Sequence, residues 1–334
     1  MKLDTFLNPA TQLSQIAETA RAAEEIGFHT IWVAETQHNP FLPCTLIAEH
    51  TQRVEIGTAI AVSFARSPAV MAHTAWDLAE LSGGRFILGL GTQVKAHIVR
   101  RFGMQWPESP VGKQREQIGG IRAFWDTWQN NAKLNQRGQY YKLTLSSPFF
   151  TPARIEHPEI PIYIAGVNTG LARLAGETAN GFHVHPFHST RYLKEVMLPA
   201  IQAGAEAQAR TLADVDMAVN AFTITNESER AFARQQLSFY ASTPSYRSVM
   251  RLHGWEEEAE KLSEMASRQQ WAEMIDLITD EMLAEFATIA DTADLAAALK
   301  ERYAGIANRI TVYVPFVPGE RDDFWKQVVA GFQD

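Results

Sequence analysis

Short β-rich apolar runs alternate with amphipathic helical runs along the whole chain, and this alternation limits the fold more than any other feature. The extended runs are Lys2 to Phe6, Thr30 to Ala34, Val54 to Val62, Arg85 to Leu90, Ile160 to Ala165, Gly181 to His185, Val215 to Ile224 and Arg309 to Val314. Helical patterns separate them, among them Thr11 to Ile26, which stops at Gly27, and the helix opened by Ser67-Pro68 and running to Leu81. Eight strands with helices between them predict a closed (β/α)8 TIM barrel of the α/β class, since an open doubly wound sheet rarely needs eight parallel strands. A single domain over 1–334 is expected. Residues 227–288 read as almost wholly helical and exceed what one βα connection needs, so a helical insertion is expected at the carboxyl-terminal mouth. The aromatic face of the helix from Ile118 to Trp128 reads as core.

A net charge of -8, with no basic run, excludes neutralisation of a nucleic-acid backbone. No segment approaches the roughly 18 apolar residues of a membrane span, and a lone Cys44 forbids an intrachain disulfide framework. A cytoplasmic protein without nucleic-acid or membrane partners is expected.

Barrel chemistry comes from residues just past the carboxyl ends of strands. Strand two is followed by Glu35, Gln37 and His38, and a histidine there serves either as acid or base or as a self-bonded loop residue. Strand four ends in GGRFILGLGTQ, whose Gly89 and Gly91 suit either a ligand's close approach or tight strand packing, with Thr92 and Gln93 behind them. Strand five leads through Gly166, Asn168, Thr169 and Gly170 into a helix amino terminus, an arrangement that favours phosphate. In HVHPFH, His183 and His185 alternate on one side of strand six with His188 close behind. A metal-dependent hydrolase is one reading of that HxH pair, and packing or lining of the pocket wall is the other.

Taken together, AAEEIGFHTIWVAETQHNPF, RSPAVMAHTAWDLAELSGGRFILGLGTQ, PIYIAGVNTGLARLAGETANGF and TADLAAALKERY resemble the bacterial-luciferase-like superfamily, and within it the coenzyme F-420-dependent oxidoreductases. The resemblance implies a cofactor pocket at the mouth, with phosphate held where Ala165, Gly166, Val167, Asn168 and Thr169 lie. It implies a non-proline cis peptide at the end of strand three, in the stretch Ala61, Val62 and Ser63. His38 would stand near the reactive ring carbon and position or protonate the substrate, Thr92 and Gln93 would lie beside the ring, and Glu35 would order the pocket. The helical excursion from Ser245 to Phe286 would cover the site. Coenzyme F-420, an 8-hydroxy-5-deazaflavin, is the expected cofactor and FMN the alternative. The expected reaction is hydride transfer between reduced F-420 and a small organic substrate; the alternatives are an FMNH2-dependent two-component monooxygenase and a non-catalytic flavin-binding relative. Homodimers and a separate reductase supplying reduced cofactor complete the expectation. The acidic tail of F-420 would need basic groups, available at Arg66, Lys95, Arg100, Arg101 and Arg173.

Overall fold

The computed structural model describes residues 1–333. Its strands are β1 (Lys2–Phe6), β2 (Thr30–Val33), β3 (Glu55–Thr58), β4 (Phe86–Gly91), β5 (Ile162–Gly166), β6 (Gly181–Val184), β7 (Asp216–Ile224) and β8 (Arg309–Val312). Each pairs in parallel with the next. The ring closes where β8 lies beside β1, with Lys2 opposite Arg309 and Asp4 opposite Thr311. This is the (β/α)8 barrel that the alternation predicts.

Most boundaries follow local chemistry. Gly27, at φ 105°, caps the helix Ile16–Ile26 in the left-handed region that glycine reaches at no steric cost. Ser67 accepts from the Val70 N–H at the start of Pro68–Leu81. The helix expected from Ile118 to Trp128 is longer, Pro110–Asn130, because Ser109 caps it and Pro110 opens it ahead of three glycines that hide its first turns. Its aromatic face is core, as expected: Trp125 and Trp128 are buried, and Trp76 meets Trp128 edge-on at 5.4 Å.

Two regions depart from the sequence reading. The third run breaks at Thr58, and Ala61–Val62 resumes as a short strand paired only with β4. Beyond β8, a helix at Asp322–Gln333, which the reading of individual runs does not include, completes the eighth βα unit and packs Trp325 against Phe28 and Phe316. Between 227 and 288 the chain forms helices Glu227–Ala241, Arg247–Leu252, Glu256–Ser267 and Asp280–Phe286, then a strand Ala287–Ile289 on the outer half of β7.

The barrel interior is filled. Trp32, Ile87, Tyr163 and Ala218 form an apolar layer, beneath which Arg309 reaches Glu55 at 2.8 Å, the Thr30 hydroxyl at 3.1 Å and Asp4 at 3.6 Å. Burial works against ionisation of Glu55, yet His29, Arg309 and Lys2 hold its carboxyl far below the usual range. Asp4 is raised, because its complete burial outweighs Arg309 and the Trp32 N–H.

Candidate active site

At the end of β2, Glu35 is almost fully buried and both its oxygens are committed. They take a forked pair of hydrogen bonds from Arg66 at 2.7 and 2.8 Å, and Oε2 also accepts from the Val62 N–H at 2.7 Å. Glu35 therefore locks the segment after β3 against the loop after β2. His38 is exposed on that loop and makes no hydrogen bond to the other expected site residues among those described.

The non-proline cis peptide is present, but it lies at Ala59–Ile60, two residues earlier than expected. The reason is where β3 leaves the ladder. The Ala59 N–H still donates to Val33 O at 2.8 Å, and Ile60 O accepts from the Glu35 N–H at 3.2 Å, so the chain turns at 59–60. Ala61, Val62 and Ser63 are then completely buried. Val62 packs with Phe64 and Ile98, and Ser63 Oγ lies 2.6 Å from Gln114 Oε1 and 3.0 Å from Gly91 O. Ala59 and Ile60 are the half-exposed pair on this strand end.

The glycines of β4 answer the question their spacing leaves open. A Cβ on Gly89 would stand 1.7 Å from Thr58 O, and one on Gly91 would stand 2.5 Å from Ile60 Cδ1. Both serve close packing against the end of β3. Thr92 and Gln93 follow, half-exposed, and Gln93 adopts φ 59° while its side-chain oxygen accepts from the Val94 N–H.

After β5, Ala165, Gly166 and Val167 are half-exposed and Asn168 and Thr169 exposed. Asn168 occupies the N-cap of Thr169–Thr178 without capping it. Its amide is drawn instead to the helical insertion, with Nδ2 3.5 Å from Ser245 O and Oδ1 accepting from Ser248 Oγ at 3.2 Å. The Tyr192 hydroxyl donates to Val167 O at 2.9 Å. Between Ser245 and Ser248 stands Arg247, whose buried Nε has no partner among the described residues. An uncapped helix amino terminus is chemically suited to an anion.

The three histidines of HVHPFH part company. His183 points into the barrel, edge-on to Trp32 at 4.6 Å. His185 stays at the mouth, its Nδ1 accepting from the Phe187 N–H at 3.1 Å and its Nε2 3.1 Å from Tyr246 Oη. His188 turns outward to His185 O and the Tyr303 hydroxyl. Burial pushes His183 and His185 down to about 3 and His188 to about 4, so all three are neutral at neutral pH. They share no site, and no group of three metal-ligating side chains that could hold an ion occurs among the described residues.

Around His185 the mouth is aromatic. Tyr240 and Tyr246 flank it at ring separations of 4.9 and 4.5 Å, and Tyr240 shares a 2.6 Å hydroxyl contact with Tyr313, itself 6.2 Å from Phe6. Phe6 ends β1 and Tyr313 follows β8. Counting residues past every strand end would have found both, whereas Arg247 carries no such signal.

Comparison with known proteins decides the lineage. The family model described as luciferase-like monooxygenase matches residues 2–309. This chain belongs to the luciferase-like family. Among its relatives is an uncharacterized Mycobacterium tuberculosis protein, 40% identical over 316 residues, 93% of this chain and 92% of that one. An F-420-dependent glucose-6-phosphate dehydrogenase of Amycolatopsis mediterranei is 32% identical over 217 residues, 61% and 63% of the two chains. A solved coenzyme F-420-dependent tetrahydromethanopterin reductase of Methanopyrus kandleri superposes with a TM-score of 0.80 at 22% identity, covering 98% and 97%.

The chain is thus a luciferase-like flavin- or deazaflavin-dependent oxidoreductase, and its mouth has parts that suit such a group. The uncapped helix amino terminus after the turn at 166–169 suits a phosphate. Ala59, Ile60, Thr92 and Gln93 are half-exposed at adjoining strand ends, where a flat ring needs surface. A cavity of about 650 Å³ opens at the opposite, amino-terminal face. Its charges are largely spent on one another, through Arg309 with Glu55 and Asp216 with the Tyr163 hydroxyl, so we place the chemistry at the mouth.

Proposed function

We propose that this luciferase-like enzyme transfers a hydride between reduced coenzyme F-420 and a small organic substrate. The observation that carries the choice of F-420 over FMN is the short helix Lys95–Arg100 directly after β4. Lys95 and Arg100 are exposed on it and make no ion pair among the described residues. Arg66 is spent on Glu35 and Arg173 on Glu177, while Arg101 reaches Thr36 O at 2.6 Å beside the His38 loop. Cations left free at the rim suit an acidic tail, which FMN lacks. The names of the Amycolatopsis and Methanopyrus proteins point the same way.

When bound, reduced F-420 supplies the hydride, and the protein supplies position and electrostatics. The helix amino terminus after Asn168, with Arg247, holds phosphate. Ala59 and Ile60 would back the ring, and Glu35 would act by holding this segment in place through Arg66 and the Val62 N–H. His38, on an exposed loop, positions the substrate or exchanges its proton. A second copy of the chain and a separate reductase that regenerates reduced cofactor belong to the same proposal, as does a cytoplasmic location. No helix among the described residues is long and apolar enough to cross a membrane.

Parallel titration of the apo-protein with F-420 and FMN tests the reading. Tight F-420 binding that weakens with added salt is expected, and micromolar FMN affinity without F-420 binding would overturn it. His38→Ala should lower turnover about a hundredfold or more while leaving F-420 affinity unchanged.

A further inference from the structure

The polar aromatic groups at the mouth leave protons unassigned. His185 Nδ1 accepts from the Phe187 N–H, so the neutral ring carries its hydrogen on Nε2 and donates it to Tyr246 Oη. Tyr246 is then an acceptor in that bond, and its own hydroxyl proton is free. Tyr240 and Tyr313 share one hydrogen bond of 2.6 Å, which uses only one of their two protons. Two hydroxyl donors therefore remain for a ligand or solvent, within a wall formed by His185, Tyr240, Tyr246, Tyr313 and Phe6. All five side chains are half-buried.

We propose that this wall is the substrate subsite, and that it selects an aromatic or bulky apolar compound bearing a hydrogen-bond-accepting oxygen, a ketone or aldehyde in the direction of reduction. The choice of a carbonyl rests on the hydride-transfer reading. The aromatic body and the acceptor oxygen rest on the wall alone. Tyr246 acts as a recognition residue, donating to the substrate oxygen. Its burial raises the phenol above the usual range, so it remains a neutral donor. The lid thereby contributes specificity as well as cover, with Tyr246 facing the substrate and Ser248 bonded to the turn at Asn168.

The test uses acetophenone and ethylbenzene, which share a shape and differ in the oxygen, titrated calorimetrically into the full-length protein. The wild type should prefer acetophenone by about tenfold, the worth of one or two hydrogen bonds. Tyr246→Phe should erase most of that preference and leave ethylbenzene affinity unchanged, with Tyr313→Phe giving a smaller loss. Equal wild-type affinity for the two probes, which needs no variant to measure, overturns the proposal. So does an undiminished preference in Tyr246→Phe, or a loss of F-420 affinity in that variant with acetophenone binding intact, which would assign the oxygen to the cofactor. If the wild type fails to bind F-420 yet keeps its preference for acetophenone, the cofactor reading falls and the subsite stands.

Discussion

The two ends of this barrel handle polar groups differently. At the amino-terminal face, Arg309 is set between Asp4 and Glu55, and Arg85 spreads its guanidinium over Ser82, Thr51, Val54 and Ala48. Glu24 accepts from three successive backbone N–H groups at Gln52, Arg53 and Val54. At the mouth, a helix amino terminus stays uncapped and two tyrosine protons have no protein acceptor. The difference teaches where to look for function: at one end the leftover polar atoms, Arg309 Nε and Asp4 Oδ1, are sealed inside a charge cluster, whereas at the other the unspent groups are an uncapped helix amino terminus and half-buried tyrosine hydroxyls that a ligand can reach.

Acid should break that contrast most severely. His183, His185 and His188 are all depressed below the ordinary 6.5, so the unfolded chain binds protons that the folded one refuses. Their stabilisation is complete above about pH 6.5 and is lost as pH falls toward 4 and 3. The slope should approach roughly 1 kcal/mol per pH unit for each histidine. Urea midpoints measured from pH 7.5 down to 5 should already decline before ordinary carboxylates titrate, and a flat profile over that range would contradict the histidine environments described.

Arg309→Met tests the other end. It leaves Asp4 and Glu55 without their buried cation and should cost about 3–5 kcal/mol in urea unfolding. Ligand affinity of the surviving folded fraction should not change, and a parallel loss of F-420 binding would show that the two ends are not independent. Glu35→Gln is intermediate in size. Loss of the forked bond to Arg66 should cost about 2 kcal/mol and weaken cofactor binding by releasing the segment at Ala59–Ile60. Smallest is Arg247→Gln, expected to weaken F-420 about five- to tenfold, near 1 kcal/mol, with no change in unfolding midpoint. A shifted midpoint there would recast Arg247 as scaffold.

The barrel was legible because strand periodicity, glycine boundaries and helix caps are local signals, each confined to a few consecutive residues. The turn after β5 was legible for the same reason, as a strand, a glycine and a helix start in sequence. What escaped depends on distant partners. Glu35 reads as an acid on a functional loop, and only the folded chain shows Arg66 and the Val62 N–H occupying it. The cis bond was expected in the right loop but misplaced by two residues, since its position is set by where β3 stops pairing with β2 and β4. His183 and His185 share a strand face by simple alternation, yet one is sealed against Trp32 and the other bonded to the lid. Alternation reports direction and says nothing of depth.

The pairing of Lys2 with Arg309 joins residues from opposite ends of the chain. A ring closed by strands about 300 residues apart cannot be completed until β8 has been made, and the contact that completes it is among the most costly in loop entropy. Folding of such a chain is expected to be slow and to end, rather than begin, at the seam that buries Arg309.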